Sequence, residues 1–201
     1  GTLITWTAME IAGGPFVFQA NIAFWPGGQS GGTKTGGQSK KLSAAEQQWE
    51  NTKATLTKTA GGMKFSDDCL DSLKSLEGFG DISTARATLS KAAKTATFSN
   101  GSTSNRVIRV DTVTQGIQRT MIGRFLTETD NYALARSGDR EIFWQSGWEA
   151  GVAASTLSGA VMHELLHTIG FSDPQLFSVL GLSESPNTAE INSGLAERCF
   201  K

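Results

Sequence analysis

The sequence predicts an α+β domain, and three observations carry that expectation. The first 25 residues are rich in β-branched and aromatic side chains with partial alternation. Several later segments open on helix-capping residues and stop at glycines. One stretch, Gly151 to Ile169, places Leu157, Val161, Leu165 and Ile169 at helical spacing among small residues. The 201 residues suffice for one ordinary domain or for two small lobes around a cleft. We expect a single domain over residues 1–201, with an upper lobe to about residue 170 and a small lower lobe over about 171–201.

Taken in order, Thr2-Leu-Ile-Thr-Trp-Thr and Phe16 to Trp25 read as extended segments joined by a turn at Gly13-Gly14-Pro15. Residues 26–39 form a Gly/Ser/Thr-rich segment expected to be a flexible surface loop. Ser43 opens a helix with Glu46 three residues on, the pattern of a capping box, and the helix is expected to stop at Gly61-Gly62. Ser66 or Asp67 starts a short helix carrying Cys69, and Ile82 to about Lys94 forms another. Asn105 to Val113 reads as a strand, and Gln115 to Phe125 as a helix or a loop with helical turns. Asn131 to Ser137 and Glu141 to Trp144 read as short strands joined at Gly138-Asp139. After the long helix, Gly170 fits a left-handed stop, Pro174 a first helical position, and Thr188 to Arg198 a last short helix.

Composition narrows the function. Only 18% of residues are charged and the net charge is −1, with no basic stripe, so a general nucleic-acid binder is not expected. No apolar run has the length of a membrane span. Ser and Thr make up roughly a fifth of the chain and Gly contributes 23 residues. With an even cysteine count, that pattern is similar to secreted bacterial proteins, so a secreted or periplasmic location is expected. The chain opens on Gly1, and any signal peptide is expected to have been removed. Cys69 and Cys199 either form one disulfide or are unrelated buried thiols.

The chemistry concentrates in one segment. The chain holds only two histidines, His163 and His167, four apart on the long helix. Residues at that spacing share a helix face, so two imidazoles can meet one metal ion with bonds of about 2.0–2.1 Å. Glu164 follows His163 directly and lies about 100° round the helix. It can therefore work on a metal-activated water as general base without being a ligand. A zinc site of this kind needs a third protein ligand. Gly170 can swing the chain back, and Asp173 can then return a carboxylate oxygen; the competing role for Asp173 is an N-cap before Pro174. Glu190 or Glu197 is the other source of a third ligand. Tyr132 and Arg198 are candidate oxyanion donors, though either could equally be structural. Trp144 and Trp148, just before the helix, either pack in the core or rim or serve as substrate platforms.

The string from His163 to Asp173, His-Glu-Leu-Leu-His-Thr-Ile-Gly-Phe-Ser-Asp, resembles the long zinc motif of the metzincin clan of metallopeptidases, in the form with Asp last found in snapalysin-type secreted proteases. The match covers 11 of the 201 residues. The resemblance implies a zincin-like fold, with a twisted mixed sheet above the active-site helix and a minimal C-terminal helical lobe below. It also implies one zinc ion on His163, His167 and Asp173, with Glu164 as catalytic base. In such enzymes an edge strand aligns an extended peptide, and here Glu141 to Trp144 is the candidate edge. The chain departs from the clan in one respect. All four methionines lie upstream of Asp173, so no methionine turn can follow the third ligand, and Leu180, Leu182 or Ile191 would supply the apolar floor. More loosely, the tail resembles uncharacterised secreted bacterial proteins with a His-Glu-x-x-His helix.

The function expected is therefore a zinc endopeptidase acting on a peptide or protein substrate, as a monomer. The alternative is a non-catalytic zinc-binding or adhesion module at the cell surface.

Overall fold

In a computed structural model the described residues are 2–9, 17–24, 42–112, 116–129, 131–185 and 187–200. The expected turn at residues 13–15 and the loop at 26–39 lie outside them. Seven strands and seven α-helices are present among the described residues, so the α+β class holds. The strands form two mixed sheets rather than one.

The first sheet has the order β2-β1-β4-β5, built from β1 (Thr2–Met9), β2 (Val17–Phe24), β4 (Val107–Thr112) and β5 (Gly116–Met121). β1 runs parallel to β4, and the other pairs are antiparallel. The helix or loop expected over Gln115 to Phe125 is thus corrected. Gly116–Met121 pairs in register with β4, Val107 opposite Met121, and only then does α4 (Ile122–Glu128) begin. A neighbouring strand offers the backbone a complete ladder, and that outweighs the weak local helical pattern.

The second sheet positions the cleft. Its order is β3-β7-β6, with β3 (Thr97–Asn100) parallel and β6 (Ala133–Ala135) antiparallel to β7 (Glu141–Trp144). Glu141–Trp144, expected as the substrate edge, is therefore the central strand. β3 and β6 are the edge strands, and β6 is the one that lines the cleft.

The helices follow their caps. Ser43 and Glu46 close a reciprocal capping box on α1 (Ala44–Gly62), which runs through the two glycines expected to end it. The Ser66 hydroxyl accepts from the Cys69 N–H at the start of α2 (Asp67–Leu73), and Asp81 caps α3 (Ile82–Thr95) through the Thr84 N–H. The long helix is α5 (Ala154–Ile169), followed by α6 (Asp173–Val179) and α7 (Ala189–Cys199).

α5 runs between two core clusters. Leu157, Ala160, Val161 and Leu165 pack with α1 and the second sheet, while Met162 and Leu166 pack with α2, α3, α6 and α7. A helix apolar all round is a buried helix, and α5 is buried from Leu157 to Leu166 except at Ser158. The last thirty residues thus share their core with α2 and α3, and a disulfide between Cys69 and Cys199 ties α2 to the end of α7. No helix among the described residues is long and apolar enough to cross a membrane.

Candidate metal centre

α5 ends at Gly170, as the sequence predicts. Gly170 has φ +118°, a conformation side chains with a Cβ rarely adopt. Its N–H and that of Phe171 both bond back to the Leu166 carbonyl, closing the helix and reversing the chain. The chain then re-enters at α6. Ser172, not Asp173, is its N-cap: Gln175 Oε1 accepts from the Ser172 N–H at 2.8 Å and from the Ser172 hydroxyl at 2.9 Å. The Asp173 carboxylate is left free to turn inward.

It does so. Asp173 Oδ1 lies 2.7 Å from His163 Nε2 and 3.1 Å from His167 Nε2. One oxygen thus bridges both imidazoles. A tetrahedral ion with bonds of about 2.0–2.1 Å holds neighbouring ligand atoms about 3.3 Å apart. The observed separations fall just below that value, so a small outward movement opens the triangle to an ion. Glu164 is also close, since ligand atoms of His163, Glu164 and His167 all lie within 4.8 Å of one another. Two nitrogens and carboxylate oxygens suit zinc or a similar divalent ion.

The other side of each imidazole is held. His167 Nδ1 donates to the Phe171 carbonyl at 2.7 Å, a partner supplied by the same turn that returns Asp173. His163 Nδ1 lies 2.9 Å from Asn192 Oδ1 on α7, and the Tyr132 hydroxyl donates to that same oxygen at 3.0 Å. Without an ion, His167 Nε2 donates to Asp173; with one bound, the acceptor on Nδ1 favours the tautomer whose Nε2 lone pair meets it. Tyr132 stacks on Trp148, ring centroids 4.3 Å apart, while Trp144 is fully buried beside them.

Burial and charge oppose one another here. Burial raises the Glu164 pKa above its ordinary value, against the lowering pull of His167 and His163. For His167, burial pulls down, but the hydrogen bond and negative charge of Asp173 prevail and raise it to about 9. Burial would raise Asp173, yet its bonds to His163 and His167 hold it well below the usual carboxylate range. The Tyr132 hydroxyl is pushed well up, first by burial and then by the Glu164 charge.

A cleft of about 240 Å³ opens onto these groups. Asn131 to Ala135 form one wall, Gly170 to Asp173 another, and Phe125 and Thr188 face in from α4 and the start of α7. His163 and Glu164 are almost wholly buried, whereas Asp173 keeps 29% of its side chain exposed toward the cleft.

The structure therefore brings together His163, Glu164, His167 and Asp173. Tyr132 also joins the site, against His163. Arg198 does not: its guanidinium bonds the Gly194 and Leu180 carbonyls. Glu190 and Glu197 are exposed on α7 and take no part in the cluster. Asn192 is the residue that sequence reasoning missed. Its one local signal is a polar amide between Ile191 and Leu195 on a helix face that is otherwise apolar.

No family model matches the chain, and neither a curated protein nor a solved structure matches it.

Proposed function

We propose that the chain is a metal-dependent peptidase, a zinc endopeptidase of metzincin-like type working outside the cytoplasm. The observation that carries this is the convergence of His163 Nε2, His167 Nε2 and Asp173 Oδ1 at the floor of an open cleft, with Glu164 beside them. The resemblance of the eleven-residue motif supports the same reading, and the Cys69–Cys199 disulfide suits an oxidising compartment.

When bound, zinc supplies Lewis acidity, polarising a carbonyl and acidifying water. Glu164 takes the proton of the attacking water as its oxygen bonds to the scissile carbon. It then delivers that proton to the amine nitrogen as the carbon–nitrogen bond breaks. Its raised pKa moves it toward the range where one carboxyl both accepts and donates near neutrality. The free edge of β6 runs along the cleft and offers backbone groups to an extended peptide.

A second reading has its own support. Glu164 lies close enough to both imidazoles to be a ligand itself. With Asp173 it would complete four ligands, and a closed four-ligand site is structural rather than catalytic. That protein would be a zinc-binding module. Glu164→Gln separates the two. On the peptidase reading, the variant keeps zinc, measured by competition with a chelating dye, and loses about 10²–10⁴-fold in cleavage of an unfolded protein substrate. His167→Ala loses both. If Glu164→Gln releases the metal, or if it cleaves as fast as the parent, the assignment of Glu164 as base is wrong.

A further inference from the structure

We propose that Asn192 is a positioning residue for His163, so that the C-terminal helix is a working wall of the metal centre. The inference rests on the metal-site reading above. His163 and His167 are oriented in different ways. The Nδ1 partner of His167 is a backbone carbonyl four residues away, fixed by the turn itself. The Nδ1 partner of His163 is a side chain 29 residues away, on another helix.

Asn192 is 2% exposed and lies among apolar neighbours. A buried amide costs free energy unless it is bonded, and here one oxygen serves both the Tyr132 hydroxyl and His163 Nδ1. Of the two neutral tautomers of His163, the one with the proton on Nδ1 donates to that oxygen at 2.9 Å, whereas the other would set two lone pairs face to face. The same tautomer leaves the Nε2 lone pair for an ion shared with Asp173 and His167. An asparagine does this without adding charge, so the ion keeps a single carboxylate partner at Asp173 and a neutral wall behind His163.

The approach of α7 is built for this contact. Gly159 lies one turn before His163 on the same face of α5. A Cβ there would sit 2.1 Å from the Asn192 carbonyl oxygen and 3.1 Å from the Ala196 nitrogen. Only glycine lets α7 come near enough for the Asn192 side chain to reach the ring. Cys199, seven residues and about two turns beyond Asn192, is held to α2 by the disulfide.

The test compares Asn192→Leu, which removes the acceptor at similar size, with Asn192→Asp, which keeps it. Zinc affinity is read by dye competition, and the coordination geometry by the visible spectrum of the cobalt-substituted protein. Asn192→Leu is expected to weaken zinc by about 10–100-fold and to alter the cobalt spectrum. Asn192→Asp is expected to stay within about threefold of the parent, since a retained acceptor rescues orientation. Equal affinities and spectra in the parent and the Leu variant overturn the positioning role and leave the metal site standing. A parent that binds no zinc overturns the site and this inference together. Should the Leu variant not fold, proton NMR of the zinc-loaded parent decides. A slowly exchanging His163 ring proton with contacts to Asn192 and Tyr132 supports the inference, and coordination through Nδ1 overturns it.

Discussion

The two histidines of the candidate metal centre lie one turn apart, yet their surroundings are built on different scales of chain. Around His167 everything is local. The glycine that ends the helix, the carbonyl that holds Nδ1 and the aspartate that meets Nε2 all fall within six residues of it. His163 shares the same Asp173 oxygen, but the rest of its support comes from afar: Tyr132 from the edge of the second sheet and Asn192 from the last helix, which seats on Gly159. Local assembly needs only that α5 and its turn form. Distant assembly needs the sheet, α7 and the α2–α7 link as well. The two halves of one site should therefore fail separately.

Cutting the link is the largest way to separate them. The disulfide joins residues 130 apart, and its loss through Cys69→Ser with Cys199→Ser is expected to cost about 2–5 kcal/mol of stability. That is read from thermal or denaturant unfolding in the presence of a chelator. The damage should concentrate on the His163 side. Hydrogen exchange is expected to rise in α7 before it rises in the Gly170–Asp173 turn. Uniform loosening of both regions would mean that the two halves are not independent.

The same contrast explains what is legible in the sequence. The His-Glu-x-x-His string, the Gly170 stop and the capping box at Ser43 and Glu46 are all relations within a few residues, and sequence spacing expresses such relations directly. The α+β class and most helix boundaries follow from the same local physics. The rest depended on partners that spacing does not encode. Gly116–Met121 is a strand because β4 lies beside it. Thr97–Asn100 is too short and polar to stand out, yet it occupies one side of β7 and so makes β7 central rather than an edge. Asn192 looks like an ordinary helix-surface amide until α7 is placed on Gly159. Asp173 was open between cap and ligand, and Ser172 with Gln175 closes the question by taking the cap.

A pH series reaches the His167 half. In the metal-free protein His167 titrates near 9, above its ordinary 6.5, because Asp173 stabilises the charged ring. A raised folded pKa adds stability that is fully present below about 6.5 and is lost as pH rises through about 9. Asp173 is depressed, so its share is present above its ordinary 3.8 and is lost only as pH falls further. The chelator-treated parent is thus expected to hold a level melting temperature from about pH 4.5 to 6.5 and to decline toward pH 9 through this pair. Zinc binding requires the neutral ring and must expel that proton, so calorimetry at pH 7.5 in buffers of different ionisation enthalpy should register its release. In Asp173→Asn the alkaline decline should flatten. An unchanged decline in that variant would assign it to other groups.

The smallest expected effect sharpens the roles within the local half. Ser172 and Asp173 are neighbours with similar chemistry, and either side chain could in principle cap α6. The geometry divides the work, with Ser172 on the helix and Asp173 on the histidines. Ser172→Ala is therefore expected to cost about 0.5–2 kcal/mol of stability and to leave zinc affinity within about twofold of the parent. Asp173→Asn should weaken zinc and leave the α6 cap in place. An amide keeps the shape of the carboxylate and leaves the cap untouched, but it removes the charge that draws a cation to the imidazoles. If Ser172→Ala weakened zinc as much as Asp173→Asn, the turn rather than the carboxylate would be setting affinity. The His167 half would then be a matter of backbone placement alone.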